Sequence, residues 1–311
     1  MKLIDLIESC ADRLQQAGVA FGHGTTNAFD EAAWLVLWKL GLPLDGLDGH
    51  EQDEVDAARR EQAQALVEQR IASRRPAAYL TGEAWLQGVP FYVDERAIVP
   101  RSFIAELLAD GTIDPWLNPE PPTAAPCPPG GRDQLEAARR RPQSPRVLDL
   151  CTGNGSLAVL AALAWPEIQV DAADLSQDAL AVAAINVQQH HLQHRIRLLQ
   201  SDGLGSLPGP YDLIVCNPPY VNSSSMAQLP PEFRAEPELA LAGGADGMDF
   251  VRALLKDAPL RMSEPAVLVL EIGNERGHFE AAFPRLEAVW LETSAGADQV
   301  LLLTREALVR Q

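Results

Sequence analysis

Apolar residues near the amino terminus recur at intervals of three and four, a spacing that places them on one face of a helix. Three such stretches cover residues 3–14, 27–40 and 51–73. Asn27 followed by Asp30 resembles a helix cap, because an asparagine side chain can accept a hydrogen bond from the first helical turn. These patterns predict a small helical domain over residues 1–76.

Between residues 77 and 100 the pattern changes to short runs of strand-forming residues. Residues 84–86 and 91–93 form two such runs, and Gly88 and Pro90 separate them. We therefore predict a β-hairpin over residues 77–100 that links the helical domain to a second domain.

Prolines dominate the next stretch, where nine of them lie between residues 115 and 145. Gly130, Gly131 and three arginines at residues 139–141 belong to the same stretch. Proline has no backbone donor, and such a composition buries little apolar surface. We therefore predict a mobile insertion at about residues 112–145.

From residue 146 onward, strand and helix patterns alternate. Apolar runs predict strands at residues 146–150, 170–174, 196–199, 211–216 and 266–271. Helices are predicted between them, at residues 156–165, 177–190 and 247–261. Two final runs, at residues 289–292 and 300–303, predict an antiparallel edge pair. The alternation predicts an α/β fold with a doubly wound, Rossmann-like, mostly parallel sheet in a second domain over residues 101–311.

A glycine-containing loop follows the first of these strands and opens directly into a helix. Its sequence is Asp149-Leu150-Cys151-Thr152-Gly153-Asn154-Gly155-Ser156. Glycines let a ligand approach the backbone, and the free N–H groups of the helix suit a carboxylate or phosphate. Asp174, at the end of the second strand, can accept hydrogen bonds from both hydroxyls of a ribose. We predict an adenosine-containing cofactor here, although the same glycine spacing also fits a dinucleotide site or a structural turn.

The sequence Asn217-Pro218-Pro219-Tyr220 follows the fourth predicted strand. In a doubly wound sheet, the carboxyl end of that strand faces the same crevice as the glycine loop. An amide or aromatic amino nitrogen is a poor nucleophile because its lone pair is delocalised, so an enzyme has to orient it. The Asn217 side-chain oxygen and the Pro218 carbonyl can accept its two N–H bonds, and Tyr220 can pack on the planar group. This pattern favours methylation of a planar nitrogen, with an ordinary Asn-Pro turn as the alternative.

The formal net charge of −18 disfavours a nucleic-acid substrate and suits a basic partner. No uncharged stretch approaches the roughly 18 residues that a membrane span needs, so we expect a cytoplasmic protein. The four cysteines are far apart and form no Cys-x-x-Cys pair, which predicts neither a disulfide framework nor a zinc site. His190, His191 and His194 lack a nearby set of carboxylate or thiolate partners, and we assign no metal.

Together these motifs resemble the glutamine N(5)-methyltransferases, whose pattern is a glycine loop after strand one and Asn-Pro-Pro-Tyr after strand four. The resemblance covers nearly the whole chain apart from the proline-rich insertion. Further supporting stretches lie at residues 29–35, 78–81, 91–96, 99–102 and 236–241. Release-factor methyltransferases carry Pro-Arg-Pro-Glu-Thr-Glu where this chain has Pro-Arg-Ser-Phe-Ile-Ala, at residues 100–105. The resemblance is therefore closer to the branch that methylates a glutamine of ribosomal protein L3.

The resemblance implies a class I methyltransferase fold with S-adenosylmethionine as the cofactor. It places the methionine part on residues 151–155, the ribose on Asp174 and the adenine edge on Asp202 and Gly203. It also implies that the helical domain helps to hold the protein substrate. The cofactor-binding residues expected are Asp149, Cys151, Thr152, Gly153, Asn154, Gly155, Asp174, Asp202, Gly203 and Asn217. The substrate glutamine is expected on Asn217, Pro218, Pro219 and Tyr220, of which Asn217, Pro218 and Tyr220 are the expected catalytic residues.

Four other functions fit part of the pattern. A release factor is the alternative protein substrate, and an adenine or cytosine amino-methyltransferase would use the same Asn-Pro-Pro-Tyr chemistry on nucleic acid. A nicotinamide-dependent oxidoreductase would use the glycine loop, and a catalytically idle assembly factor would only bind a ribosomal protein. The acidic charge and the complete loop at residues 217–220 favour the protein methyltransferase. Its expected partner is ribosomal protein L3, with no membrane and no direct nucleic-acid substrate.

Overall fold

The computed structural model describes residues 1–117 and 144–310. Most of the insertion predicted at residues 112–145 lies outside the described residues. The chain divides into two compact units, of which the first comprises Met1–Arg101 and Ser224–Ala240 and the second comprises Ser102–Ser223 and Leu241–Gln311. The sequence patterns alone assign residues 224–240 to the second domain. Within the described ranges, no helix combines the length and the apolar composition that crossing a membrane requires.

The first unit contains the three helices that the apolar spacing predicts, followed by one short helix. Their bounds are Leu3–Gln16 for α1, Ala28–Leu40 for α2, Ala57–Ser73 for α3 and Ala77–Thr81 for α4. The Asn27 side chain accepts a hydrogen bond from the Asp30 backbone N–H at 2.9 Å, a cap that stabilises a helix by about 1 kcal/mol. Gly41 ends α2 with a φ of 65°, a conformation that favours glycine. The buried face of α1 consists of Leu3, Leu6, Ile7, Cys10 and Leu14.

The predicted hairpin consists of β1 (Glu83–Leu86) and β2 (Val89–Tyr92), and it belongs to the first unit. Its turn is Gln87–Gly88, where both residues have a positive φ, as a two-residue type I′ turn requires. Pro90 lies inside β2 opposite Trp85, so its expected place in the turn is wrong. A proline fits there because β2 belongs to a two-stranded ribbon, and sheets tolerate proline outside their central strands.

The second unit is built around a seven-stranded sheet with the order β5-β4-β3-β6-β7-β9-β8. The strands are β3 Arg146–Leu150, β4 Gln169–Asp174, β5 Ile196–Gln200, β6 Tyr211–Cys216, β7 Met262–Glu271, β8 Val289–Thr293 and β9 Gly296–Thr304. Strands β3 to β7 run parallel, and β9 pairs antiparallel with both β7 and β8. The predicted parallel sheet with an antiparallel pair at one edge is confirmed.

Helices of the second unit cover this sheet. The bounds of the remaining described helices are α5 Ile104–Ala109, α6 Asp114–Leu117, α7 Ser156–Ala164, α8 Gln177–Gln189, α9 Ser223–Gln228, α10 Asp249–Asp257, α11 Arg276–Ala282 and α12 Arg305–Val309. All of them belong to the second unit except α9, of which residues 224–228 belong to the first unit. The helix predicted at residues 247–261 is shorter because residues 258–260 form a 3-10 turn, where Pro259 cannot donate a helical hydrogen bond. Apolar side chains of the central strands, among them Leu148, Ile214 and Leu268, are buried in one core, as a parallel sheet between helices requires.

Candidate active site

The predicted glycine loop and the predicted catalytic loop start from neighbouring strands. β3 and β6 are parallel, and Leu150 lies opposite Cys216. The chain continues from β3 to β4 on one side, whereas β6 leads to β7 on the other, so the strand order reverses between β3 and β6. In such sheets a crevice forms outside the carboxyl ends of the strands at the reversal. Cys151 and Asn217 are the next residues of the two strands and therefore begin at the same crevice.

The glycine loop makes a tight turn in left-handed backbone conformations, with φ values of 61° at Cys151, 55° at Gly153 and 82° at Gly155. A Cβ added at Gly155 would lie 3.1 Å from the Cβ of Ala183, so glycine is needed where the loop packs on α8. A Cβ added at Gly153 would meet no described atom within 4 Å. Gly153 therefore leaves open space in which a ligand can approach the backbone.

Asp149 is buried beneath this loop, with 1% of its surface exposed. Its Oδ2 accepts hydrogen bonds from the Thr152 hydroxyl at 2.5 Å and from the Ala158 backbone N–H at 2.9 Å. Burial raises the pKa of Asp149 from 3.8 to about 7, although these two hydrogen bonds act against the rise. Its Oδ1 has no hydrogen-bond partner among the described residues. Asp149 therefore fastens the loop to α7, and its direct contact with the cofactor stays a prediction.

The first turn of α7 offers fewer free N–H groups than the sequence predicts. Ala158 donates to Asp149, and the Ser156 backbone N–H donates to the side-chain oxygen of Asn154 at 3.3 Å. Some of the N–H groups that were expected to bind a carboxylate or phosphate at the start of α7 therefore already donate to acceptors of the protein itself. The side-chain nitrogen of Asn154 is buried and has no partner within residues 1–117 and 144–310. It is a donor that a ligand could use.

Asp174 ends β4 and lies beside the glycine loop. Its Oδ2 accepts a hydrogen bond from the Gly153 backbone N–H, and its Oδ1 accepts one from the Ser176 backbone N–H, each at 2.9 Å. Burial raises the pKa of Asp174, while hydrogen bonds from the backbone oppose the rise. Each carboxylate oxygen keeps a further lone pair, so the group can accept two ribose hydroxyls as the sequence predicts.

Asp202 and Gly203 form a turn just after β5, the neighbour of β4. The Ser201 backbone N–H donates to the Asp174 carbonyl at 3.0 Å, which places this turn beside Asp174. The Asp202 side chain is exposed, and a Cβ added at Gly203 would meet no described atom within 4 Å. The turn is therefore open on the edge of the sheet where the family resemblance places the adenine.

These residues fit an S-adenosyl cofactor. The backbone is accessible at Gly153, Asn154 holds a buried donor with no described partner, and Asp174 presents a fixed carboxylate. Asp202 is an exposed acceptor at the next strand end. The set offers separate contacts for an amino-acid part, a ribose and a base.

The loop that leaves β6 contains Asn217, Pro218, Pro219 and Tyr220. Cys216 is fully buried, and Pro218 is buried as well, whereas Asn217 and Tyr220 are partly exposed. The Asn217 side chain therefore reaches an accessible surface directly at the end of a buried strand. The structure brings this loop and the glycine loop to adjacent positions, as the sequence predicts.

A glycine-rich stretch, residues 241–247, is hydrogen-bonded to the chain just after the loop at residues 217–220, and the sequence motifs assign it no role in the site. The Val221 backbone N–H donates to the Leu241 carbonyl at 2.8 Å, and the Gly243 backbone N–H donates to the Val221 carbonyl at 2.9 Å. The Asn222 side chain donates to Glu275 at 2.7 Å. Glycines 243, 244 and 247 indicate a close approach of another segment. The sequence does not show which segment of the backbone approaches them.

The thiols of Cys151 and Cys216 are close enough to interact. Burial is the main cause that raises the pKa of Cys216 well above its ordinary value, and a hydrogen bond with Cys151 adds to the rise. A buried, protonated thiol is not a nucleophile, which fits the interpretation of Cys216 as a core residue. In the described part of the chain, no three His, Cys, Asp or Glu side chains are placed to hold a metal ion.

Two family models match the chain. The methyltransferase small domain matches residues 133–239, and the PrmC N-terminal domain matches residues 5–82. The first range contains both loops of the candidate site, and the second contains most of α1 and all of α2, α3 and α4.

Three curated relatives carry the name ribosomal protein uL3 glutamine methyltransferase. The protein from Bordetella pertussis is 54% identical, over 98% of this chain and 96% of the relative. The proteins from Burkholderia pseudomallei and Neisseria meningitidis serogroup B are 50% and 46% identical, over 96% and 98% of this chain and 93% of each relative. The chain therefore belongs to the ribosomal protein uL3 glutamine methyltransferase family and is an S-adenosylmethionine-dependent methyltransferase.

Proposed function

We propose that this enzyme methylates the side-chain amide nitrogen of a glutamine in ribosomal protein uL3. The three relatives described above are 46 to 54% identical to the chain over nearly its whole length. The observation that carries the proposal is the pairing of Leu150 with Cys216, because it starts the glycine loop and the Asn217 loop at one crevice. A methyl donor on the first loop then lies beside an amide held by the second.

Asn217 and Pro218 would orient the glutamine amide. The Asn217 Oδ1 and the Pro218 carbonyl accept its two N–H bonds, which turns the nitrogen lone pair toward the donor, and Tyr220 packs against the amide plane. S-adenosylmethionine, when bound, supplies a methyl group activated by a sulfonium. The new N–C bond forms as the C–S bond breaks, and the methylated amide passes its extra proton to water. The two prolines keep both acceptors in place before the substrate arrives.

The cofactor would be held mainly by backbone and carboxylate groups. Residues 151–155 surround the methionine part, Asp174 accepts the ribose hydroxyls, and Asp202 with Gly203 faces the adenine. Support comes from the open space at Gly153 and from the carboxylate of Asp174, which backbone N–H groups fix in place. Asp149 acts through the loop that it fastens.

The protein substrate would be held in part by the helices of the first unit. The net charge of −18 favours approach of a basic ribosomal protein over approach of nucleic acid. Since ribosomal proteins are made in the cytoplasm, we place the reaction there.

The test is mass spectrometry of ribosomal proteins and release factors from cells that lack the enzyme. One glutamine of uL3 should be lighter by one methyl group, and returning the wild-type gene should restore it. Asn217→Ala should fail to restore it, while affinity for S-adenosylhomocysteine in calorimetry stays close to that of the wild type. A methyl group lost from a release factor instead of uL3 would show that the substrate is wrong. Full methylation by Asn217→Ala would contradict the role given to Asn217.

A further inference from the structure

Tyr220 is enclosed by three glycines that come from two separate loops. Gly243 and Gly247 lie between the catalytic loop and α10, and Gly273 follows β7. A Cβ added at Gly243 would lie 2.7 Å from the Cα of Tyr220, and one added at Gly247 would overlap the Tyr220 carbonyl oxygen. A Cβ added at Gly273 would lie 2.6 Å from Cε2 and 3.0 Å from Cζ of the Tyr220 ring. We call these three residues the glycine cradle.

The cradle touches two different parts of Tyr220. Cβ atoms added at Gly243 and Gly247 would meet its backbone, and a Cβ on Gly243 would also lie 2.8 Å from the Cα of Gly247. The three atoms nearest to a Cβ added at Gly273 are all ring or hydroxyl atoms of Tyr220. The space beside the backbone of residue 220 and the space beside its ring are therefore kept free of side chains by different glycines.

The neighbours of Tyr220 are fixed as well. The backbone of Val221 forms a parallel bridge with Ala242, and the Asn222 side chain donates to Glu275. Glu275 also lies 2.5 Å from the His278 ring nitrogen. These contacts hold the loop after residues 217–219, so we expect the ring to move when a methyl group at residue 273 intrudes.

We infer that the glycine cradle is a positioning device for methyl transfer: Gly273 sets the angle of the Tyr220 ring, and Gly243 and Gly247 set its backbone. The inference rests on the proposed function, in which Tyr220 packs on the substrate amide. If alanine replaces Gly273, an ordinary distance of 3.4 Å between its Cβ and Cε2 of Tyr220 requires the ring to move by about 0.8 Å. A misplacement of this size at a reacting group lowers turnover by about 10- to 100-fold. The cofactor touches none of the three glycines in the proposed arrangement, so its affinity stays unchanged.

The test compares Gly273→Ala with a matched control, Gly88→Ala, in the full-length enzyme with purified uL3. Both positions have a left-handed φ, 53° and 72°, but a Cβ at Gly88, in the hairpin turn, would meet no described atom within 4 Å. The control therefore carries the backbone strain without the intrusion. Gly273→Ala should lower kcat by about 10- to 100-fold, and Gly88→Ala should change it by no more than about twofold. Affinity for S-adenosylhomocysteine should be equal in all three proteins.

Measurements in the Tyr220→Ala background distinguish displacement of the ring from general damage to the structure of the enzyme. Once the ring is gone, Gly273→Ala has nothing to displace, so the double variant should turn over as slowly as Tyr220→Ala and no slower. Gly247→Ala should remain harmful in the same background, because it meets the carbonyl at residue 220. A crystal structure of Gly273→Ala should show the ring shifted and the backbone of residues 217–219 in place.

Equal kcat for Gly273→Ala and Gly88→Ala would overturn the inference. So would a loss from Gly273→Ala that persists at full size in the Tyr220→Ala background. If the wild type methylates a release factor and not uL3, the proposed substrate is wrong, and the same set of variants measured on the release factor still decides whether the cradle positions Tyr220.

Discussion

Replacing Asp149 by asparagine should stabilise the second unit at pH 8 relative to the wild type, and the gain should shrink in acid. Burial raises the pKa of Asp149 from 3.8 to about 7. Because the folded value is the higher one, the stability linked to the bound proton is fully present below about pH 4 and is lost as the pH rises through about 7. Asparagine carries no charge, and its oxygen can still accept the hydrogen bonds from Thr152 and Ala158.

The size of the effect follows from the pKa shift. One pKa unit corresponds to about 1.4 kcal/mol, so ionising Asp149 in the folded protein costs roughly 4 kcal/mol relative to the unfolded chain. Of the pH interval between the unfolded and folded pKa values, only about two units lie between pH 5 and pH 7. Above pH 7 the stability difference between the two proteins stays nearly constant. The difference in unfolding free energy between Asp149→Asn and the wild type should therefore grow by about 3 kcal/mol from pH 5 to pH 8.

Urea unfolding at pH 5 and pH 8 measures this difference. The transition of the second unit is the one that S-adenosylhomocysteine shifts to higher urea. Asp298→Asn, at an exposed position of the same unit, is the matched control and should differ from the wild type equally at both pH values. If Asp149→Asn also differs equally at both, the carboxyl is not desolvated under the loop, and the explanation of its pKa fails.

Two further substitutions test other contacts. Gly155→Ala should weaken S-adenosylhomocysteine binding by about 10- to 100-fold in calorimetry, because a φ of 82° strains alanine by about 1–2 kcal/mol and its Cβ meets Ala183. Adding Ala183→Gly should restore part of the affinity. If the double variant binds no better, the contact with Ala183 is not the cause. Glu236→Gln should destabilise the first unit by about 3 kcal/mol, since Glu236 is buried and pairs with Arg101 at 2.6 and 2.7 Å. Burial acts to raise the pKa of Glu236, but Arg101 and His23 lower it to about 2. Its contribution is therefore present above pH 4.5 and is lost as the pH falls toward 2, so urea curves at pH 7 and pH 3 that show the same deficit would contradict the pairing.

Most of the fold could be predicted from the sequence because its signals are local. The alternation of apolar strands and helices predicted the doubly wound, mostly parallel sheet, and the pair formed by Asn27 and Asp30 marked a helix start that the structure confirms. Pro90 was misplaced because a proline reads as a turn unless the partner strand is known. The start of β7 at Met262 was missed since Ser263, Glu264 and Pro265 interrupt its apolar pattern.

The division into two units depended on contacts that no local pattern reveals. Residues 224–240 belong to the first unit, where Glu232 and Glu236 are buried with arginines far away in the sequence. Glu232 lies 3.2 Å from Arg74, and Glu236 lies 2.6 Å from Arg101. Charged residues usually indicate a surface, so no local pattern reveals that these two glutamates are buried.

In the candidate site too, local sequence patterns do not reveal contacts between residues that are distant in the sequence. Asn217 and Pro218 are visible in the sequence because the proposed chemistry uses their own oxygens, whereas the glycines proposed to position Tyr220 contribute only an absence of side chains. Gly243, Gly247 and Gly273 become meaningful once their distance to one tyrosine is known. The loss of activity caused by a substitution around this loop should therefore depend on the space available near Tyr220 and not on the polarity of the residue replaced. A methyl group, which is chemically inert, should therefore do more harm at residue 273 than a change of charge at the exposed Asp298.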